Sequence, residues 1–280
     1  MGTQVAVVMP VFNAERFLRE SMDSVLAQTF HDFIFLVCDD CSGDGSLSIL
    51  EEYARRDDRV RVLSNERNLG TVGTRNKLLA ALPPDIKYFA IMDADDVSLP
   101  DRLERQMQFL ESHDETICGV GSSLEIIDED SRVTGFRPYP VTPEEIRRVL
   151  PERNVISQSS LMLRRAAIDV VGGYRRGCRG GSDCCMDYDW WLRLLDHHYD
   201  FANLPDPVLR YRMSSSQMKQ KKLRSSLRNT MDIQTAYRNR THSWTLRARL
   251  RILADRLLLC LPDAVILKLF EFLTYRRKPQ

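Results

Sequence analysis

Residues 88–96 read Tyr88-Phe89-Ala90-Ile91-Met92-Asp93-Ala94-Asp95-Asp96, five apolar or aromatic residues running into three acids. A short continuous apolar run signals a strand buried on both faces, and such strands belong to parallel sheets covered by helices. The pattern recurs at Val5–Met9, Phe33–Cys38 and Val60–Leu63. Between these runs, Phe17, Leu18, Met22, Val25 and Leu26 fall at helical spacing, as do Leu47, Ile49, Leu50, Tyr53 and Ala54. Strands alternating with helices predict an α/β fold with a mostly parallel sheet flanked by helices. Right-handed crossovers then put every strand-to-helix loop on one edge. Ligands of such sheets sit at the carboxyl ends of the strands.

Polar clusters stand at those ends. The first strand leads into Pro10-Val11-Phe12-Asn13, the second into Asp39-Asp40-Cys41-Ser42-Gly43-Asp44-Gly45-Ser46, and the fourth into Asp93-Ala94-Asp95-Asp96. So many carboxylates on one edge repel one another. A divalent cation would relieve that repulsion, and a cation held by hard carboxylates is also how enzymes grip diphosphates. On an extended chain Asp93 and Asp95 share a face. Helix capping is the simpler reading, because Asp and Ser are good N-caps. For Ser42–Ser46 the two readings stand level, whereas Asp93-Ala94-Asp95 stacks acids beyond any capping need. No G-x-G-x-x-G follows the first strand and no P-loop occurs, which argues against a dinucleotide dehydrogenase and a P-loop NTPase.

Composition bounds the class. The 280 residues are 43% apolar and 28% charged, which excludes disorder, collagen and coiled coil as the main state. Mean hydropathy is −0.32, and no uncharged apolar run is long enough to span a membrane. With charged residues from Glu15 onward, no secretory leader is expected. Seven cysteines, with Cys184 and Cys185 adjacent, suit a reducing cytoplasm. Cys178, Cys184 and Cys185 lack zinc-ligand spacing with any histidine. The net charge of +1 hides a polarity: residues 210–280 hold 17 Lys/Arg against four acids, so the tail is +13 and the body −12.

The second half follows the same grammar. Thr142-Pro143-Glu144-Glu145 reads as a capping box with Pro at the first helical position. A short strand at Ser159–Leu163, a helix, and the turn Gly172-Gly173-Tyr174 come next. A Gly/Cys/Arg-rich loop over 175–186 leads to an aromatic helix from Asp187 to about His197, then to strand pieces Phe201–Leu204 and Val208–Arg212. Beyond Met213, Ser214-Ser215-Ser216 introduces a basic helical pattern broken at Pro262.

Five segments, in this order and spacing, resemble family 2 glycosyltransferases of the GT-A fold. They are VAVVMPVFNAERFLRESMDSVLAQTF (5–30), DDCSGDGSLSILEEYA (39–54), NLGTVGTRN (68–76), DADDVSLPDRL (93–103) and DYDWWLRL (187–194). The resemblance covers roughly residues 4–212 and implies a nucleotide-diphospho-sugar transferase. The implied reaction is inverting transfer of a sugar from a nucleotide diphosphate, expected to be a UDP-sugar, to an acceptor hydroxyl in cell-surface polysaccharide or glycolipid synthesis. Residues 1–213 would be the catalytic domain, with a nucleotide-binding half (1–97) and an acceptor half (98–213), and 214–280 a basic helical extension. Carried over by position, Pro10 and Phe12 would border the nucleobase, and Asp39 or Asp40, with Asp40 favoured, would hydrogen-bond it. Asn76 would lie near the donor, Asp93 would face the ribose and sugar, and Asp95 would hold Mg²⁺ or Mn²⁺. Asp187 matches the general base, which must act on the face opposite the leaving group. The dipole at its helix N-terminus would hold it ionised. Asp189 competes for the role. Met186 replaces the family's usual Glu, and Met213-Ser214-Ser215-Ser216 stands where a His often follows the last strand. These departures motivate a rival, a donor-binding or scaffolding protein that has lost catalysis.

Other candidates read as structure. His197 and His198 are expected on the surface, and of Trp190 and Trp191, about 100° apart on a helix, one is expected in the core. In the tail, apolar residues from Leu246 to Tyr275 interleave with arginines. That pattern fits either a hairpin packed on the catalytic domain or an interfacial segment on an anionic membrane leaflet. Nucleic acid is not expected, because so many leucines fit lipid better than a phosphate backbone. The expected location is the cytoplasm, on the inner face of the cell membrane where a glycan or lipid-linked acceptor would lie.

Overall fold

A computed structural model describes residues 3–177, 183–213 and 219–262. The chain opens β1 (Val5–Val11), α1 (Glu15–Leu26), β2 (Phe33–Asp39), α2 (Ser46–Arg56), β3 (Val60–Ser64), α3 (Gly70–Ala80) and β4 (Tyr88–Ile91). It continues β5 (Val97–Ser98), α4 (Arg102–Glu111), β6 (Ile117–Ser122), β7 (Leu124–Ile127), β8 (Val133–Arg137), α5 (Pro143–Val149), β9 (Met162–Arg164) and α6 (Ala166–Val171). It closes α7 (Met186–Asp196), β10 (Asp200–Leu204), β11 (Leu209–Arg212), α8 (Lys219–Arg240) and α9 (Leu246–Leu258).

Seven strands form the main sheet in the order β10-β6-β9-β4-β1-β2-β3. β3, β2, β1 and β4 are mutually parallel, as the apolar runs predict, and β10 is parallel to β6. β9 runs antiparallel between β4 and β6. Alternate residues feed two cores: Val5, Val7, Met9 and Val11 on one face, Ala6 and Val8 on the other. A smaller sheet, β5-β11-β7-β8, begins directly after the acids that follow β4.

Three local readings change. The strand expected over Ser159–Leu163 starts only at Met162, because Gln158–Ser160 forms a 3₁₀ turn. In that turn the Ser160 hydroxyl donates to Ser157 O at 3.0 Å, binding the segment locally instead of to the sheet. Both tryptophans of α7 are fully buried, not one. Trp190 meets the rings of Phe89 and Tyr174 and Trp191 meets that of Phe201, so the diverging side chains both find protein. In the tail, the helical pattern breaks already at 241–245, where the Thr245 hydroxyl accepts from Ala248 N at 3.1 Å and starts α9 afresh, and α9 itself ends at Leu258, ahead of Pro262. One half of the expected capping box is present, the Thr142 hydroxyl accepting from Glu145 N at 3.3 Å, and Pro143 opens α5.

α8 packs on the preceding α/β body: Ile233 joins the core, and Gln234 Nε2 donates to Glu152 O at 2.7 Å and to the Tyr188 hydroxyl at 3.2 Å. Cys178, Ser214–Ser216 and the part of the apolar tail from Val265 to Tyr275 lie outside the described residues. The six described cysteines carry free thiols.

The two tryptophans differ in one atom. Trp190 Nε1 donates to Gly172 O at 2.9 Å, whereas Trp191 Nε1 is buried without a partner. Both substitutions to Phe remove similar volume, but only Trp190→Phe strands a carbonyl, a loss of about 1–3 kcal/mol. Urea unfolding should therefore give Trp190→Phe the lower midpoint; equal midpoints would contradict the pairing.

Candidate functional site

Because β1, β2 and β4 are parallel, their carboxyl ends open on one edge, and the loops there are sewn together. Asn13 N donates to Ser42 Oγ at 3.0 Å, Gly43 N to Asn13 Oδ1 at 2.8 Å, and Ala14 N to Ser46 Oγ at 2.9 Å. Asp44 accepts from Glu15 N and Ser46 N. Ser42, Asp44 and Ser46 thus serve backbone amides, chiefly around the start of α1 across the gap.

The two acids that end β2 differ. Asp40 is fully engaged: Oδ1 accepts from Asn65 Nδ2 and Leu69 N, both at 2.7 Å, and Oδ2 from Gly70 N at 2.9 Å. It pins the turn into α3, where Gly70 has φ +75° and an added Cβ would sit 2.6 Å from Asp183 Oδ2. Asp39 accepts Ser42 N on Oδ2 at 3.0 Å, while its Oδ1 is buried without a partner. Val11 is the register partner of Asp39, so Phe12, 51% exposed, stands one step further along the same edge, and Pro10 is half-buried one step before.

Asn76 is turned away from that edge. Its amide donates to Tyr174 O at 2.9 Å and accepts from Tyr174 N at 2.8 Å, clamping the turn after α6. Its neighbour Arg75, which the sequence reading passed over, faces the site. Arg75 is buried and ion-paired through Nη2 with Asp93 Oδ1, with the Tyr174 ring 5.9 Å from the guanidinium carbon. Burial alone would lower its pKa, but Asp93, Tyr174 and Asp187 raise it further, so the guanidinium stays charged.

The acids after β4 do not continue an extended strand. Asp96 N donates to Asp93 O at 3.3 Å, closing a turn, so the shared face expected of Asp93 and Asp95 is lost. Asp96 points inward, accepting Arg212 N on Oδ1 at 2.9 Å and leaving Oδ2 buried without a partner. Burial first, then Asp95 and Asp93, push its carboxyl well above the usual range. Asp95 O accepts from Arg212 Nε at 2.7 Å.

Asp93 and Asp187 meet on one cavity of about 220 Å³, lined also by Arg137, Tyr139, Asn154, Gln158 and Tyr211. Asp187, second residue of α7, accepts from Asn154 Nδ2 at 2.9 Å, and Asn154 Oδ1 accepts from Ile156 N at 3.1 Å, which fixes the amide. Desolvation raises the Asp187 carboxyl above its ordinary range, outweighing the backbone amides of the first turn, Asn154 and Arg75. The first-turn amides favour the charged form, as expected of a helix N-terminus, but burial sets the direction of the net shift. Asp189 is tied to Arg193 Nε at 2.9 Å. Met186 is buried in the core, while His197 and His198 are exposed. Among the described residues, no three His, Cys, Asp or Glu are grouped to hold a metal by themselves. Arg137, Tyr139, Asn154, Gln158 and Tyr211 carry no sequence motif; loops and the second sheet bring them in. Arg75 could have been found, since it lies inside the quoted segment 68–76.

The model of glycosyl transferase family 2 matches residues 6–172. EpsE of Bacillus subtilis, which bears a glycosyltransferase name, is 32% identical over 238 residues, 85% of this chain and 83% of its own. The O-antigen biosynthesis glycosyltransferase WbnJ of Escherichia coli is 31% identical over 216 residues, 75% of this chain and 79% of its own. Two solved structures share the fold. The mannosyltransferase PcManGT of Pyrobaculum calidifontis, in complex with GDP-Man and Mn²⁺, has a TM-score of 0.64 at 17% identity, covering 96% of this chain and 73% of its own. TarS 1–349 of S. aureus, in complex with UDP, has a TM-score of 0.61 at 20% identity, covering 92% and 71%. Matched in sequence over most of its length, and folded like the GT-A glycosyltransferases, this chain belongs to glycosyl transferase family 2.

Proposed function

We propose that the chain is an inverting glycosyltransferase that moves a sugar from a nucleotide diphosphate donor, a UDP-sugar, to an acceptor hydroxyl. The observation that carries this reading is the meeting of Asp93 and Asp187 on one cavity at the carboxyl edge of the sheet. The product is cell-surface polysaccharide or glycolipid, in line with the O-antigen role in the name of WbnJ. The acceptor is a glycan or a lipid-linked sugar, and the work is done on the cytoplasmic face of the cell membrane. No described helix is long and apolar enough to cross a membrane, so attachment in this reading is peripheral, through the C-terminal extension.

Residues divide by task. Asp39 takes the nucleobase in preference to Asp40, because its buried Oδ1 has no partner, whereas protein donors already hold both oxygens of Asp40. Pro10 and Phe12 border the base. Asp93, oriented by Arg75, faces the ribose and sugar, and Asn76 supports the wall by holding Tyr174. Asp187 accepts the acceptor's hydroxyl proton as the new bond forms at the anomeric carbon. The bond to the diphosphate oxygen breaks on the opposite face, and its electron pair leaves with the nucleoside diphosphate. A raised carboxyl is a stronger base than an ordinary one, provided it is ionised at the working pH.

The mutual repulsion of Asp93, Asp95 and Asp96 fits a divalent cation at this turn. Asp95 would hold Mg²⁺ or Mn²⁺, with diphosphate oxygens among the other ligands, since the described residues offer no complete protein shell. When bound, the cation would offset the charge that develops on the leaving diphosphate.

Asp187→Asn should lower kcat by about 10²–10⁴-fold while donor affinity survives; turnover within a few-fold of wild type would move the base elsewhere. The rate should fall on acidification as Asp187 protonates, above the ordinary carboxylate pKa of about 4. Asn154→Ala removes a hydrogen bond that favours the charged form, so a pH–rate profile should show that limb moved to higher pH. Asp95→Ala should abolish Mn²⁺-dependent donor binding in calorimetry along with turnover, and unchanged donor affinity in chelator would refute the cation. Asp39→Ala should weaken UDP binding more than it lowers the melting temperature, and Asp40→Ala the reverse. Nucleotide-sugar binding without transfer or hydrolysis in a donor and acceptor screen would favour the scaffold reading instead.

A further inference from the structure

α9 has two apolar faces, and one is uncovered. Ala248 and Ile252 are buried, and Arg224 of α8 fixes the helix by donating to Leu259 O at 2.6 Å and Leu261 O at 2.7 Å. On the opposite side Leu246, Leu250, Leu253 and Leu257 recur at i, i+4, i+7 and i+11, a single stripe. They are 74%, 58%, 52% and 63% exposed, and among the described residues no other helix exposes more than one large apolar side chain. At about 100° per residue, Arg249 and Arg256 flank the stripe on one side, and Arg247 and Arg251 on the other. All four are exposed. The one acid of α9, Asp255, reaches Arg251 at 3.9 Å and Glu152 reaches Arg247 at 3.4 Å, so Arg249 and Arg256 are the flanking charges the test addresses.

We propose that α9 is a membrane-docking helix, laying its leucine stripe into the headgroup boundary of an anionic bilayer with its arginines against lipid phosphates. Charge decides the occupant. A second copy presenting the same stripe would set four arginines against four. Residues 263–280 carry four Lys/Arg and two acids, so they offer no complement either. An anionic lipid surface complements both the stripe and its flanks. This helix would supply the peripheral attachment on which a membrane-side acceptor, proposed above, depends.

The test uses the full chain and phosphatidylcholine vesicles with or without phosphatidylglycerol. Donor and acceptor are left out, so the transferase reading stands or falls separately. Wild type should co-sediment with the phosphatidylglycerol vesicles at low salt, not with phosphatidylcholine alone, and should be released by salt. Arg249→Glu with Arg256→Glu should weaken binding by roughly 100-fold or more, as should the triple variant Leu250→Ser, Leu253→Ser and Leu257→Ser. Circular dichroism and UDP binding should be unchanged in both variants, since the altered side chains are exposed and far in sequence from the donor loops. Wild type that ignores phosphatidylglycerol overturns the proposal. So does a triple variant that still binds, which would assign attachment to residues outside α9. A wild-type dimer in light scattering that the triple variant converts to monomer would make the occupant a second copy.

Discussion

Parallel pairing of β3, β2, β1 and β4 is the constraint from which the site follows. A parallel pair cannot close with a hairpin, so each strand must be followed by a crossover, and right-handed crossovers return every loop to the same edge. Both faces of the sheet are then covered, and the strands become continuous apolar runs. Polar chemistry has nowhere to go but the strand ends. Asp39, Asp93 and the loop after Val11 lie together for that reason, although the first two are 54 residues apart in the chain.

Such crowding leaves electrostatic debts within the fold. Asp39 Oδ1, Asp96 Oδ2 and Arg75 Nε are all buried without hydrogen-bond partners. Native proteins tolerate few such atoms, and each is a place where a ligand can complete what the chain leaves open. Arg75 meets part of the demand through Asp93, at the cost of burying a cation. Breaking either side of that pair would leave an uncompensated charge beside Asp187. The arrangement is stable as a set and poorly divisible.

What the sequence made legible is whatever a local pattern decides. The strand runs, the helical spacing in α1 and α2, the capping box at Thr142 and the acidic edge all rest on neighbours within a few residues. What it hid depends on tertiary enclosure. Asp39 and Asp40 are indistinguishable as letters, and only the turn at Leu69 and Gly70 uses up one of them. Thr74-Arg75-Asn76 drew attention to Asn76, whereas helical phase sends Arg75 to Asp93 and Asn76 to Tyr174. The dipole argument for Asp187 took the right sign from local structure, and burial overrode it. Asn154 and the second sheet reach the cavity from loops without any periodic signature.

The tail shows the same limit at larger scale. Composition set it apart near residue 214, yet α8 is bound against α7. Cys185, the left-handed residue that precedes α7 at φ 63°, has its thiol 3.3 Å from Ser226 Oγ and 3.5 Å from Thr230 Oγ1. Asn229 Nδ2 donates to Cys184 O at 3.3 Å, and Gln234 to the Tyr188 hydroxyl at 3.2 Å. Residues 226, 229, 230 and 234 share one face of α8, so a single helical surface grips the turn that carries Asp187. The extension is therefore part of what holds that carboxylate in place. A chain cut at the compositional boundary would lose the support of its own cleft, whatever its first 213 residues contain.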